Sequence, residues 1–175
     1  MRLVFVSLLV AAAPLATVAQ TAGQGFSTGP VIEDFGPAAP VEQDMAIPDG
    51  LDLKVVFDIA APAEEGEINK GFVTVARFLN MHGKAGVDMS RVHPAIVVHG
   101  GASSQLVISS ENTPNATQPL IEALLDQGVP VYLCGQTAAA RGIAKEDLIP
   151  GVELALSAMT AHAVLAADGY SLNPF

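Results

Sequence analysis

The 175-residue chain has no tryptophan, and aromatic residues make up only 5% of it. An interior with so few large rings must be filled by alanine, valine and leucine, and such a chain offers little surface on which to stack a base or a sugar. Cations are scarce too: eight Lys and Arg stand against 18 Asp and Glu, for a formal charge of −10. Lys54, Lys70, Arg77, Lys84, Arg91, Arg141 and Lys145 are scattered along the chain and form no stripe. This argues against nucleic acid or an anionic membrane surface as the main partner. There is one cysteine, Cys134, so no internal disulfide can form. Its thiol is a buried packing group, a half of an intermolecular bridge, or a free reactive centre.

The first twenty residues, MRLVFVSLLVAAAPLATVAQ, place Arg2 before an apolar run and small residues at Thr17 and Ala19. That is the pattern of a secretory signal peptide over residues 1–19, cleaved near Ala19. The run is shorter than the ~20 residues a membrane span needs, and Pro14 interrupts it. The mature protein is therefore expected in the periplasm or outside the cell, with no membrane in its mature form. Residues 20–50 are rich in Gly, Pro and acids, and Pro30, Pro40 and Pro48 forbid a helix through most of the stretch. It reads as an extended arm with Val31, Ile32, Phe35 and Val41 as apolar handholds.

From residue 51 strands and helices alternate. LKVVFDIA (53–60) reads as a buried strand. Ile68, Phe72, Val75, Ala76 and Leu79 recur at helical spacing, with Glu64, Glu65 and Glu67 expected at the helix start and Gly83 as its stop. HPAIVVHGG (93–101), PVYLCG and VELALSAM (152–159) read as three further strands. QPLIEALLDQG, TAAARGI and TAHAVLAADG read as helices, KEDLIP as a helical turn, and YSLNPF as a short edge strand. Repeated strand–helix units predict a three-layer α/β/α domain over 51–175, with a mostly parallel sheet of four to five strands of the flavodoxin or Rossmann-like kind.

In such sheets ligands bind beyond the carboxyl ends of the strands. Those ends carry Asp58, then His99 with Gly100 and Gly101, then Cys134 with Gly135 and Gln136, then Ser157 with Met159 and Thr160. Cys134 has intrinsic nucleophilic chemistry, and a following helix start would stabilise its thiolate. Gly135 permits the turn, and Arg141 would add positive charge or cap the short helix. His99 reads as a proton shuttle, an anion partner or a satisfied structural imidazole. Asp58 would orient a neighbour or cap a turn. His82, His93 and His162 form no metal-ligand spacing with Cys134, so no metal is expected. HGGASSQ lacks the spacing and lysine of a phosphate loop and reads as a site-lining loop, so no cofactor is expected and a flavin-binding role has little support. Asn115-Ala116-Thr117 fits a glycosylation triplet or a helix start equally well.

The segment Cys134, Ala138, Ala139, Arg141, Gly142, in the order C-x-x-x-A-A-x-R-G, resembles the DsrE/DsrF-like family of small sulfur-handling proteins. KVVFDIA, VVHGG, LIEALLDQGV, KEDLIPGV and LSAMTAHAVLAADGY extend the likeness over about residues 51–175. The resemblance implies a three-layer α/β fold, homo- or hetero-oligomers, and a cysteine carrying sulfane sulfur as a persulfide, which maps onto Cys134. His99, Gly100, Gly135, Gln136, Asp58 and Arg141 are the expected pocket, and a small sulfur donor or an acceptor thiol protein the expected partner. If active, the protein would be a sulfurtransferase or sulfur carrier. The alternative is a non-catalytic oligomeric binding or assembly module with a structural cysteine.

Overall fold

The computed structural model describes residues 25–173; the leader expected over 1–19 lies outside them. Five strands, β1 (Leu53–Ile59), β2 (Val92–Val98), β3 (Val131–Cys134), β4 (Glu153–Ala155) and β5 (Ser171–Asn173), form one sheet in the order β4-β3-β2-β1-β5. All four pairings are parallel. The helices are α1 (Lys70–Lys84), α2 (Gln118–Asp126), α3 (Gly135–Arg141) and α4 (Ala158–Ala167). The fold is thus the expected three-layer α/β/α.

The strand order dictates an uneven sandwich. Parallel crossovers are right-handed, so a helix lies on one face when the chain steps one way along the sheet and on the other when it steps back. From β1 to β4 the chain always moves to the adjacent strand in one direction, and α1, α2 and α3 share a face. Phe72, Val75, Leu79, Leu120, Ile121, Leu124 and Ala138 there enclose Phe57, Ile59, Ile96, Val98 and Leu133 in the larger core. From β4 the chain returns to β5 beyond β1, which puts α4 on the opposite face. Ala161 and Leu165 cover Val56, Ala95 and Val97 in a smaller core. The central strand β2 is covered on both sides, which accounts for its unbroken apolar run from Ala95 to Val98. Pro94 is tolerated within it because it faces the same edge as Ile96, whose N–H bonds to Pro130 just before β3 begins.

Several boundaries differ from the sequence reading. Strand β4 is three residues long, and Ser157 caps α4 by accepting a hydrogen bond at its Oγ from the Thr160 N–H at 3.0 Å. The run VELALSAM therefore crosses a strand, a turn and a helix start, and Met159 and Thr160 are helical. Gly83 does not stop α1. It lies inside the last turn, where a Cβ would press on Val31 and Pro30 at 2.9–3.0 Å, so the arm excludes a side chain there. Glu64, Glu65 and Glu67 precede α1, whose cap is Asn69 accepting from Gly71 N. HGGASSQ is a 3-10 helix over Gly100–Leu106.

The arm lies on the domain. Buried Asn80 of α1 accepts hydrogen bonds from the Val31 and Ile32 N–H groups and donates to the Ile32, Phe35 and Gly36 carbonyls at 2.8–3.0 Å. One amide thus pairs with five backbone groups of the arm, of which only the Ile32 carbonyl has a second partner, the Gly29 N–H. Gly36, at φ +65, passes so close to α1 that a Cβ would overlap the Ala76 and Arg77 backbone.

Candidate functional site

Neighbouring strands whose connections leave toward opposite faces open a crevice at their carboxyl ends. In this sheet that happens between β3, which feeds α3, and β4, which feeds α4. Cys134 is the last residue of β3 and the N-cap of α3, so it stands in the crevice with the starts of both helices around its sulfur. Gly135 makes this possible: a Cβ there would lie 2.5 Å from the Ala155 carbonyl oxygen and 3.1 Å from that of Leu156. Any larger residue would push β4 away from β3.

Cys134 is 7% exposed, and its environment acts on the thiol in two directions. Burial raises the pKa. Hydrogen bonds from the Thr137 hydroxyl and from the backbone N–H groups of Thr137, Ala158 and Gln136 oppose it and prevail, so the thiol is held below its ordinary value. Gln136 and Thr137 belong to α3 and Ala158 to α4. The Gly100 N–H approaches the Thr137 Oγ1 at 3.4 Å, which leaves the Thr137 proton free to point at sulfur. Gly100 therefore acts through Thr137.

Alternation along the strands puts Asp58, His99 and Cys134 on the α4 side of the sheet, where α4 supplies His162 on the same face as Ala161 and Leu165. Asp58 bridges two imidazoles: its Oδ2 lies 3.0 Å from His99 Nε2 and its Oδ1 2.7 Å from His162 Nε2. Burial pushes the Asp58 carboxyl up, but the His162 and His99 hydrogen bonds and charges outweigh it, and its pKa falls below the ordinary carboxylate value. Asp58, His99, Cys134, Gln136, Thr137, Ser157, Ala158, Met159 and His162 line one cavity of about 290 Å³. A larger cleft of about 460 Å³ beside the β1–α1 loop meets it at Asp58, but Cys134 and the two imidazoles do not line it.

The structure thus brings Asp58, His99, Cys134 and Gln136 together, with Gly135 and Gly100 shaping the wall. Arg141 stands apart: it is exposed in the last turn of α3, does not line the cavity, and complements the negative end of that helix. Gly142 ends the helix in the left-handed conformation at φ +65, so the run from Cys134 to Gly142 is one short helix with its two caps. The sequence reading did not place Thr137 and His162 in the site. Both carried a signal: Thr137 is the third residue after the cap, positioned to hydrogen-bond back to it, and His162 lies four residues from Ala158 on the buried stripe of α4. Asn115 donates to the Gln105 and Val107 carbonyls and accepts from the Thr117 N–H, and Thr117 is the N-cap residue of α2, with its hydroxyl accepting from the Asn69 N–H. Among the described residues no group of three or more His, Cys, Asp or Glu is placed to hold a metal ion.

The model of the DsrE/DsrF-like family matches residues 54–174. The uncharacterised protein MK0008 of Methanopyrus kandleri is 31% identical over 111 residues, covering 63% of this chain and 85% of its own. Among solved structures, MTH1491 of Methanobacterium thermoautotrophicum, a protein of unknown function, superposes with a TM-score of 0.55 at 22% identity over 70% of this chain and 98% of its own. The Escherichia coli protein ychN does so with a TM-score of 0.50 at 22% identity over 69% and 99%. At that identity the two structures speak for the fold, while the family model spans nearly all of the α/β domain, from β1 through the cysteine crevice to β5: the chain is a member of the DsrE/DsrF-like family.

Proposed function

We propose that the protein binds or relays sulfane sulfur as a persulfide on Cys134. The observation that carries this reading is the placement of Cys134 at the β3/β4 crevice, lining a cavity, where two helix starts and Thr137 donate to the sulfur and hold the thiol below its ordinary value. A thiolate is the form that attacks a sulfane sulfur. Cys134–S⁻ attacks the terminal sulfur of a donor R–S–SH. A new S–S bond forms, the donor S–S bond breaks with its electron pair, and R–S⁻ departs. The reverse step hands the sulfur to an acceptor thiol. Family membership, which is associated with sulfur relay, supports the same reading. Incubation with polysulfide should add about 32 Da, one sulfur atom, to the wild type and not to Cys134→Ser; no adduct, or an equal one on the variant, overturns it.

The leader pattern over residues 1–19 supports export to the periplasm or the cell exterior. Leu156, Met159 and Val164 are 72%, 80% and 63% exposed around α4, and an exposed apolar patch of this kind is ordinarily covered, which supports a homo-oligomer. The low exposure of Cys134 favours a second reading, an assembly module with a structural cysteine. A thiol that alkylates only after unfolding would establish that alternative.

A further inference from the structure

We infer that the Asp58-bridged pair His99 and His162 donates the proton that neutralises the departing thiolate during transfer at Cys134, so that the site takes sulfur donors that leave as basic thiols. The inference rests on the persulfide reading but has its own geometry. An ionised carboxylate only accepts hydrogen bonds. With Asp58 accepting from both rings, each Nε2 is fixed as a donor. That leaves each Nδ1 as the atom that takes up and releases a proton, and among the described residues neither Nδ1 has a protein partner. Both rings line the same cavity of about 290 Å³ as Cys134. His99 directly follows β2, and since Val98 pairs with Leu133, His99 and Cys134 occupy adjacent places on neighbouring strands, about 5 Å apart in the hydrogen-bonding direction.

The rest of the cavity narrows the donor class. No Lys or Arg lines it, and the N–H groups of Gln136, Thr137 and Ala158 are already engaged with the Cys134 sulfur. A leaving group such as sulfite departs as a dianion, and beyond the two imidazoles, whose charge is shared with the Asp58 carboxylate, the cavity offers it no fixed positive charge. A thiolate needs one proton, which a protonated imidazole can give. In balance, Cys134–S⁻ attacks and forms a new S–S bond, the donor S–S bond breaks, an imidazolium transfers its Nδ1 proton to R–S⁻ to give R–SH, and the neutral ring keeps its Nε2–H, which still donates to Asp58. Solvent reprotonates it.

The test uses two small disulfides as probes of the protein. One is aliphatic, with a leaving thiol of pKa about 8.5; the other is aromatic and electron-poor, so that its thiolate leaves without protonation. General acid assistance is worth about 100-fold at its lower end. The His99→Gln/His162→Gln variant should therefore modify Cys134 with the aliphatic probe about 100-fold more slowly, while the aromatic rate changes less than about threefold. Asp58→Asn, which keeps the side-chain shape, should lower the aliphatic-to-aromatic rate ratio in the same direction. Equal slowing with both probes, or no change in the ratio, overturns the inference. Failure of the wild type to gain sulfur from a hydropersulfide would instead strike the persulfide reading.

Discussion

His162 on α4 and Asp58 at the end of β1 are separated by 104 residues, yet their side chains meet at 2.7 Å. The contact ties the one helix on the open face to the sheet edge where Cys134 stands. It joins the smaller core, made by Val56, Ala95, Val97, Ala161 and Leu165, to the candidate chemistry.

Because Asp58 is held below its ordinary pKa in the native state, it contributes stability that is present above the unfolded carboxyl value near 4 and lost as pH falls through the lower native value. Asp58→Asn should lower stability at neutral pH by at most about 1 kcal/mol, since the carboxylate is one-third exposed. The difference from wild type should shrink as pH drops below about 4. Urea titrations at a series of pH values measure it, and a gap that widens in acid contradicts the assignment.

Thr137→Val removes the hydroxyl that donates to Cys134 and keeps the side-chain volume. The thiol pKa should rise, and alkylation near pH 7 should slow by up to about tenfold. The rate of reaction with iodoacetamide as a function of pH reports both. An unchanged profile would show that the backbone N–H groups suffice.

Much of this was legible in the sequence. The near-continuous apolar runs of β1 and β2 announce a parallel sheet covered on both faces, and once the strands are known the carboxyl-end rule points to Asp58, His99 and Cys134. What the runs cannot show is where a strand yields to a helix when both are apolar. VELALSAM reads as one strand because the turn at Leu156 and the cap at Ser157 carry no Gly or Pro. His162 was not placed in the site for a related reason: its partner Asp58 is fixed by the long return crossover from β4 to β5, and no local spacing encodes that. Proximity to Cys134 in the sequence suggests Arg141 for the pocket, but the intervening helix carries it to the far end.

Gly135→Ala should be poorly tolerated, since its methyl group would stand 2.5 Å from the Ala155 carbonyl oxygen, a backbone atom that cannot give way without moving β4. A loss of about 1–3 kcal/mol is expected, together with a change in the Cys134 alkylation rate as the α4 start withdraws. Alanine at Ala139, exposed on the same helix, is already present, and Ala139→Ser there should be neutral within about 0.5 kcal/mol.

Asn80→Ala removes the side-chain partner of the Val31 and Ile32 N–H groups and of the Phe35 and Gly36 carbonyls of the arm, while the Ile32 carbonyl keeps the Gly29 N–H. The expected cost is about 3 kcal/mol or more, and protease should cut residues 27–38 in the variant before the α/β domain. Equal cleavage of wild type and variant would mean that Gly36 and the apolar contacts of Ile32 hold the arm without the amide.

The most direct measurement of the central claim is the intact mass of the protein after exposure to a small hydropersulfide and again after treatment with excess thiol. The account predicts a gain of about 32 Da on the wild type, its absence from Cys134→Ser, and its loss when the acceptor thiol takes the sulfur. A wild type that gains no mass while folded, or an adduct that persists in Cys134→Ser, contradicts it.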